Sequence, residues 1–290
     1  MSWLKKSIPQ NWRLYLNIFE SYQDVPEIHQ FRNLYSTFLE REVRVDVYLP
    51  SIYYDQPADE FPVLWFNDGQ DMDAARILDT MTTLFQENRV QEFVLVAIHA
   101  GNRIQEYGTA GRPDYRQRGS LAGAYTRFII EELIPFLRKR YRLSHEAAHN
   151  TFAGFSLGGL SAFDIAWANP EVFRQAGVFS GSFWWRYQTV DEADPDAHRI
   201  MHDIVAKSRK REGMRFWFQC GARDEEEDRN NNGIIDSIDD TLDLIALLKK
   251  LGYREGGDIY YLEVKDGEHN HDTWARVMPQ FLMWAFPRYP

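Results

Sequence analysis

Apolar and polar positions alternate early in the chain and then stop alternating. In EIHQFRNLYSTFLEREVRVDVYLP, read as extended over roughly 28–50, Val43, Val45, Val47 and Leu49 are separated by more polar residues. A period of two marks a half-buried strand, and the stretch predicts an antiparallel pair at a sheet edge. Further on, apolar residues come in short unbroken runs: FPVLWF (61–66), EFVLVAI (92–98), NTFAGF (150–155), AGVFS (176–180), MRFWFQC (214–220) and IYYLEV (259–264). Strands covered on both faces read this way.

Between these runs the period changes to that of a helix. In YTRFIIEELIPFL, Tyr125, Phe128, Ile129, Leu133, Phe136 and Leu137 share one face. DDTLDLIALLKKLGY predicts a helix capped by Asp240 or Thr241 and stopped at Gly252. Strands alternating with helices predict an α/β fold: a mostly parallel central sheet, antiparallel N-terminal edge strands and helices on both faces. No linker rich in Pro, Gly or Ser interrupts the pattern, so residues 1–290 are read as one domain. Residues 1–27 form an N-terminal arm and 224–240 an acidic loop insertion.

Composition narrows the classes. The chain has 290 residues, 44% hydrophobic and 26% charged, enough for a sizeable core. Its one cysteine, Cys220, excludes an intramolecular disulfide. MSWLKKSIPQNWRLYL lacks the apolar stretch of a signal peptide, and no apolar run reaches the roughly 18 residues of a membrane span. The expectation is a cytoplasmic protein with no membrane partner. The net charge of −10 is concentrated in 224–243, where nine acids face Arg229 alone, a net of −8. With no basic stripe to meet phosphates, nucleic acid is excluded as a partner. The sequence sets no oligomeric state.

The chemistry centres on TFAGFSLGGLSAF, residues 151–163, which contains the string Gly154-Phe155-Ser156-Leu157-Gly158. A chain of this length shows G-x-S-x-G by chance about one time in ten, so the flanks must decide. Ser156 follows a buried run and opens a helical one. A serine at a strand-to-helix turn is held in a tight bend with its hydroxyl exposed, beside the N–H groups of a helix N-terminus. The rival reading is a serine cap flanked by glycines.

A serine nucleophile needs a base, and the base an orienting acid. After Ser156 come His198 and His202, four apart and read as surface residues, then His269 and His271 in KDGEHNHDTW, after the last strand. Spacing does not choose between His269 and His271. The acid follows the run 214–220 in CGARDEEED, where Asp224 competes with Glu225, Glu226 and Asp228. In NDGQ, Asp68-Gly69 permits a turn that aims the Gln70 amide into the site, next to that of Leu157.

DRNNNGIIDSID (228–239) fits a calcium-loop template, with Asp228, Asn230 and Asn232 at alternate positions, Gly233 at the bend, Ile234 offering its carbonyl, and Asp236 and Asp239 completing the set. Such an ion would be structural, with no cofactor required for catalysis. The same residues read as a polar surface loop with helix-capping aspartates.

Four stretches together resemble the Putative esterase family of the α/β-hydrolase fold, which contains enterochelin esterases, feruloyl and acetyl-xylan esterases, S-formylglutathione hydrolases and mycolyltransferases. They are DVYLP (46–50) with VLWFNDGQDM (63–72), AGFSLGGLSAF (153–163), FSGSFWW (179–185) and GEHNHDTW (267–274). The resemblance covers roughly 28–288 and is nearest to the catalytic domain of enterochelin esterases. It implies a serine carboxylester hydrolase acting on a small-molecule ester, phenolic or carbohydrate. Ser156 becomes the nucleophile. Asp224, in GARD, becomes the acid, and His269, set off from Trp274 as in the family, becomes the base. The Gln70 and Leu157 amides form the oxyanion hole. Asp68, Ser182, Phe183, Trp184 and Trp185 line the substrate pocket. An acyltransferase with the same triad and a non-catalytic carbohydrate-binding relative are the alternatives.

Overall fold

The structure is a computed structural model that describes residues 25–55 and 60–288. Most of the expected N-terminal arm, residues 1–24, lies outside the described residues. Eight strands form one sheet: β1 Glu27–Ser36, β2 Arg41–Leu49, β3 Val63–Asn67, β4 Val94–Ile98, β5 Asn150–Phe155, β6 Gln175–Phe179, β7 Arg215–Arg223 and β8 Ile259–Glu268. Their order across the sheet is β1-β2-β4-β3-β5-β6-β7-β8. β1 and β2 form the expected antiparallel pair, β2 is antiparallel to β4, and every later pairing is parallel.

The side chains of the central strands point alternately to two apolar layers. Val63, Trp65, Val94, Val96, Phe152, Val178, Phe216 and Phe218 face one layer. It is closed by the helices Leu157–Ala168, Ile200–Ala206 and Asp236–Lys250 and by the helical run from 122 to 138. Leu64, Phe66, Leu95, Ala97, Ala153, Phe155, Phe179 and Trp217 face the other, closed by Ile77–Gln86 and His271–Ala285. Unbroken apolar runs arise because both layers are dry. Two strands depart from expectation. β2 alternates only as far as Arg44 and is then buried on both faces, whereas the IYYLEV run in β8 is the far edge and is largely half-exposed.

Two local readings need correction. The helix expected to start at Asp240 or Thr241 starts at Asp236, and Ile235 before it offers no side-chain cap. Asp240 lies inside that helix, fully buried, held by Arg199 at 2.7 Å and Arg229 at 2.8 Å. Gly252, at φ +97°, follows the helix end as expected. His202 is not a surface residue. It is buried, its Nε2–H donates to the Asp240 carbonyl at 2.8 Å, and burial, with Arg199 adding to it, lowers its pKa to about 3.

Strand order positions the site. The chain reverses its direction of travel across the sheet between β3 and β5, so the loops leaving their carboxyl ends emerge side by side. Those loops carry Asp68–Gln70 and Ser156. Among the described residues no helix is long and apolar enough to cross a membrane.

Close packing at the centre of the sheet has a direct test. A methyl group on Gly177 of β6 would stand 2.4 Å from the Phe281 ring and 2.9 Å from Ala153 Cβ. Gly177→Ala is expected to lower unfolding free energy by about 1–3 kcal/mol in urea denaturation. No loss would mean that the last helix is free to shift off the sheet.

Candidate active site

Ser156 sits between β5 and the helix Leu157–Ala168 at φ +54°, ψ −121°, a conformation that a residue with a side chain rarely adopts. The surroundings over-determine it. Its N–H donates to the Phe179 carbonyl of β6 at 2.7 Å, and its carbonyl accepts from Gly159 and Leu160 at 3.0 and 3.1 Å. Gly154 and Gly158 let the strand end and helix start touch: a Cβ on Gly154 would lie 2.5 Å from the Gly158 backbone. The Ser156 hydroxyl is half-buried, 3.4 Å from the Ser182 hydroxyl.

The turn after β3 is fitted against this helix start. Asp68 takes a left-handed conformation at φ +59°, followed by the short helical turn Gly69–Asp71 that holds Gln70. Asn67 donates to the Gly158 carbonyl at 2.8 Å and accepts from Tyr125 at 2.6 Å. A Cβ on Gly158 would lie 2.5 Å from an Asp68 carboxylate oxygen, so the two turns are in van der Waals contact. The Leu157 N–H, at the helix N-terminus, has no acceptor within its own helix.

His269 lies just after β8, before Asn270, which caps the last helix by accepting from Thr273 at 3.0 Å. The His269 ring stands edge-on to Trp274 at 5.3 Å. Trp274 in turn stacks on Phe155 at 4.6 Å and donates to Ser180 at 3.0 Å. One tryptophan thus fixes the histidine relative to the residue preceding Ser156. Packing around part of the His269 side chain lowers its pKa below that of an ordinary histidine, although the residue stays exposed; the Asp224 charge opposes this and Arg103 adds to it.

Asp224 is half-buried at the end of β7. One carboxylate oxygen accepts from the Gly221 N–H at 3.0 Å; the other is buried with no hydrogen-bond partner among the described residues. Burial raises its pKa, against the Gly221 amide, the Ser180 hydroxyl and the charge of His269. The competing acids turn elsewhere: Glu225 accepts from the Ser237 N–H, Asp228 accepts from Asn232 and Gly233, and Glu226 is exposed. His271 stands against the same tryptophan, its ring 5.2 Å from Trp274 and 6.2 Å from Phe155, and its ring nitrogen is 3.5 Å from Asp71 at the end of the Gly69–Asp71 turn.

Not every expected pocket residue is at the surface of the pocket. Ser182 is beside Ser156 and Trp184 is half-buried under Arg118, 5.1 Å from its ring centroid. Phe183 and Trp185 are fully buried core residues, because the turn at Ser182 drives them beneath the loop rather than across it. Asp68 is fully buried as well. Its oxygens are taken by Arg103, at 2.8 and 2.9 Å, and by Gln70, at 2.9 Å, so it is part of the scaffold. Arg103 and Ser180 were not singled out by sequence reasoning. Each follows the carboxyl end of a parallel strand, β4 or β6, which is the signal that could have found them.

The acidic loop folds on itself. Asp239 accepts from the side-chain amides of Asn230 and Asn232 at 2.8 and 2.9 Å, and the Asn232 oxygen accepts from the Ile234 N–H at 2.8 Å. Asp236 accepts from the Arg229 N–H at 2.9 Å and faces its guanidinium at 3.2 Å. Among the described residues no three of His, Cys, Asp and Glu group so as to hold a metal ion. Arg229 bridges Asp196, Asp236 and Asp240.

The strand order, the reversal between β3 and β5 and the serine on a left-handed strand-to-helix turn define a protein of the α/β-hydrolase fold. A profile of the family described as "Putative esterase" matches residues 36–285, and the chain belongs to that family. It is 26% identical over 249 residues to the uncharacterized Bacillus subtilis protein YbbA, covering 84% of this chain and 92% of that one. It is 22% identical over 253 residues to an endo-1,4-beta-xylanase/feruloyl esterase of Xylanibacter ruminicola, covering 83% of this chain but 29% of that protein. Among solved structures, a ferulic acid esterase superimposes with a TM-score of 0.70 at 17% identity, covering 92% of this chain and 100% of the other. The enterobactin esterase of Shigella flexneri gives 0.69 at 21% identity, covering 90% of this chain and 58% of the other.

The Arg229 bridge can be tested by itself. Its side chain is 7% exposed, and Asp240 beneath it is fully buried. Arg229→Met is expected to cost about 3 kcal/mol, the low end for breaking a buried pair, because Arg199 still holds Asp240. Equilibrium denaturation measures this; a loss below about 1 kcal/mol would show that Arg199 alone neutralises the site.

Proposed function

We propose that the chain is a serine carboxylester hydrolase working through an acyl-enzyme. The observation that carries the reading is the Ser156 turn, a left-handed serine with its hydroxyl at the carboxyl end of the sheet and a helix N-terminus beside it. His269 takes the hydroxyl proton as Ser156 Oγ bonds to the ester carbonyl carbon. The Leu157 and Gln70 amides hold the resulting oxyanion. Collapse breaks the bond to the alkoxy oxygen, which leaves as the alcohol with the proton from His269. Water then attacks the acyl-enzyme, giving one proton to His269; the bond to Oγ breaks, the proton returns to Ser156, and the acid departs. Asp224, its buried oxygen lacking another partner, orients the imidazole and offsets its charge.

Three features support a small phenolic or carbohydrate ester as substrate. Trp184 offers an aromatic surface next to Ser182, the site is open to solvent at His269, and a feruloyl esterase is among the relatives. Hydrolysis rather than acyl transfer is the simpler reading of a site so open to water, and product analysis with added alcohols separates the two.

Ser156→Ala is expected to reduce turnover of p-nitrophenyl acetate by a factor of about 10³ or more, with the fold intact by circular dichroism. Equal rates would end the assignment. Because the base acts neutral and its pKa is lowered, the acid limb of kcat/KM should lie below the pH at which an ordinary histidine titrates. An acid limb at or above that pH would place the base elsewhere. No cofactor enters this reaction, so EGTA should leave the rate unchanged; a loss restored by calcium would make loop 228–239 part of the machinery.

A further inference from the structure

The Asp68 carboxylate is in an unfavourable place for the chemistry proposed above. It is fully buried, touches Gly158 in the first turn of the Ser156 helix, and accepts from the Gln70 side chain. It therefore lies against the turns that supply both oxyanion amides. An unneutralised anion there would repel the negative charge that develops on the substrate, in a setting where water screens little.

Arg103 meets this charge. Its guanidinium closes on both Asp68 oxygens, at 2.8 and 2.9 Å, and donates further to the Phe155 carbonyl at 3.2 Å. Phe155 is the residue immediately before Ser156. One side chain thus joins the turn after β3 to the strand end that presents the serine. Its own mounting is rigid. Glu106, at the other end of the one-turn helix Arg103–Glu106, is buried, accepts from the Gly101 and Asn102 amides at 3.2 and 3.1 Å, and pairs with Arg41 of β2. Arg103 also lies over the Tyr107 ring at 5.3 Å, while the Tyr107 hydroxyl accepts from the Asp68 N–H at 2.9 Å.

We propose that Arg103 is a positioning residue for the oxyanion site: it cancels the buried Asp68 charge and locks the Asp68–Gln70 turn to the strand that carries Ser156. The proposal rests on the serine-hydrolase reading. It requires the planar two-pronged geometry of arginine, which lysine cannot reproduce. The Arg103 charge is also felt at His269, where it adds to the lowering of the pKa. Asp224, from the loop after β7, opposes it, Trp274 of the last helix stands edge-on to the ring, and His271, 3.5 Å from Asp71, packs on the same Trp274 at 5.2 Å.

The test is a double-mutant cycle in the full chain with p-nitrophenyl acetate: wild type, Arg103→Met, Asp68→Asn and both together. Arg103→Met should lower kcat about a hundredfold, the scale of losing one oxyanion donor, with KM changed by less than about threefold. Adding Asp68→Asn removes the stranded charge and should restore at least about tenfold of that loss. In Arg103→Met and in the double variant the acid limb of kcat/KM should move to higher pH, because a cation opposing the imidazolium is gone. A purely structural role would not move that limb. The proposal is overturned if Arg103→Met keeps kcat within about threefold of wild type, if the double variant is no faster than Arg103→Met, or if the acid limb stays in place. Should Arg103→Met not fold, the double variant, which buries neither charge, is compared with wild type alone: kcat lowered by no more than about tenfold with the acid limb moved to higher pH supports the proposal, and a larger loss, an unmoved limb or failure to fold overturns it. A wild-type chain no more active than Ser156→Ala would instead sink the serine-hydrolase reading itself.

Discussion

The structure depends on one backbone constraint, the left-handed turn at Ser156. A serine at φ +54° is strained by about 1–3 kcal/mol, and only packing can hold it there. The packing is a contact between two glycines. Any side chain at 154 would collide with the Gly158 backbone, and any at 158 would collide with Asp68. The sheet order follows the same logic. Because the chain reverses between β3 and β5, the turn after each strand can reach the other, and the helix N-terminus meets the Asp68–Gln70 turn. Trp274 extends the constraint to the third component by stacking on Phe155 and supporting His269.

In a chain of net charge −10, most of the buried carboxylates among the described residues are met by arginines; Asp164, which accepts from the Ala110 N–H, is not. Asp240 meets Arg199 and Arg229, Glu106 meets Arg41, and Asp68 meets Arg103. Such pairs add little net stability, but removing one partner is costly, so they fix geometry more than they strengthen the fold. The Arg229 cluster fixes the loop that follows Asp224. The Arg103 pair fixes the turn that carries Gln70. Both lie within reach of the proposed chemistry, and neither touches it.

Much of this was legible in the sequence. Unbroken apolar runs marked the parallel strands because both sheet faces are dry, and the G-x-S-x-G string fell at a strand-to-helix boundary because the run before it ends there. The spacing from His269 to Trp274 is now seen as a ring contact. What stayed hidden was set by long-range geometry. SGSFWW reads as an aromatic pocket, yet the bend at Ser182 sends Phe183 and Trp185 into the core. Asp240 reads as a cap, yet the helix begins a turn earlier and leaves Asp240 to the arginines. His202 reads as exposed because its burial depends on a helix packed across from it. Arg103 carries no motif: its partner is 35 residues away and meets it only through the strand order.

Whether Ser156 is an activated nucleophile is measured directly by peptide mapping by mass spectrometry after treatment with a fluorophosphonate. One phosphonyl adduct is expected, on the peptide containing Ser156, formed in the native chain and lost when the chain is unfolded before treatment. An unlabelled native chain, or an adduct on any other residue, would contradict that role for Ser156.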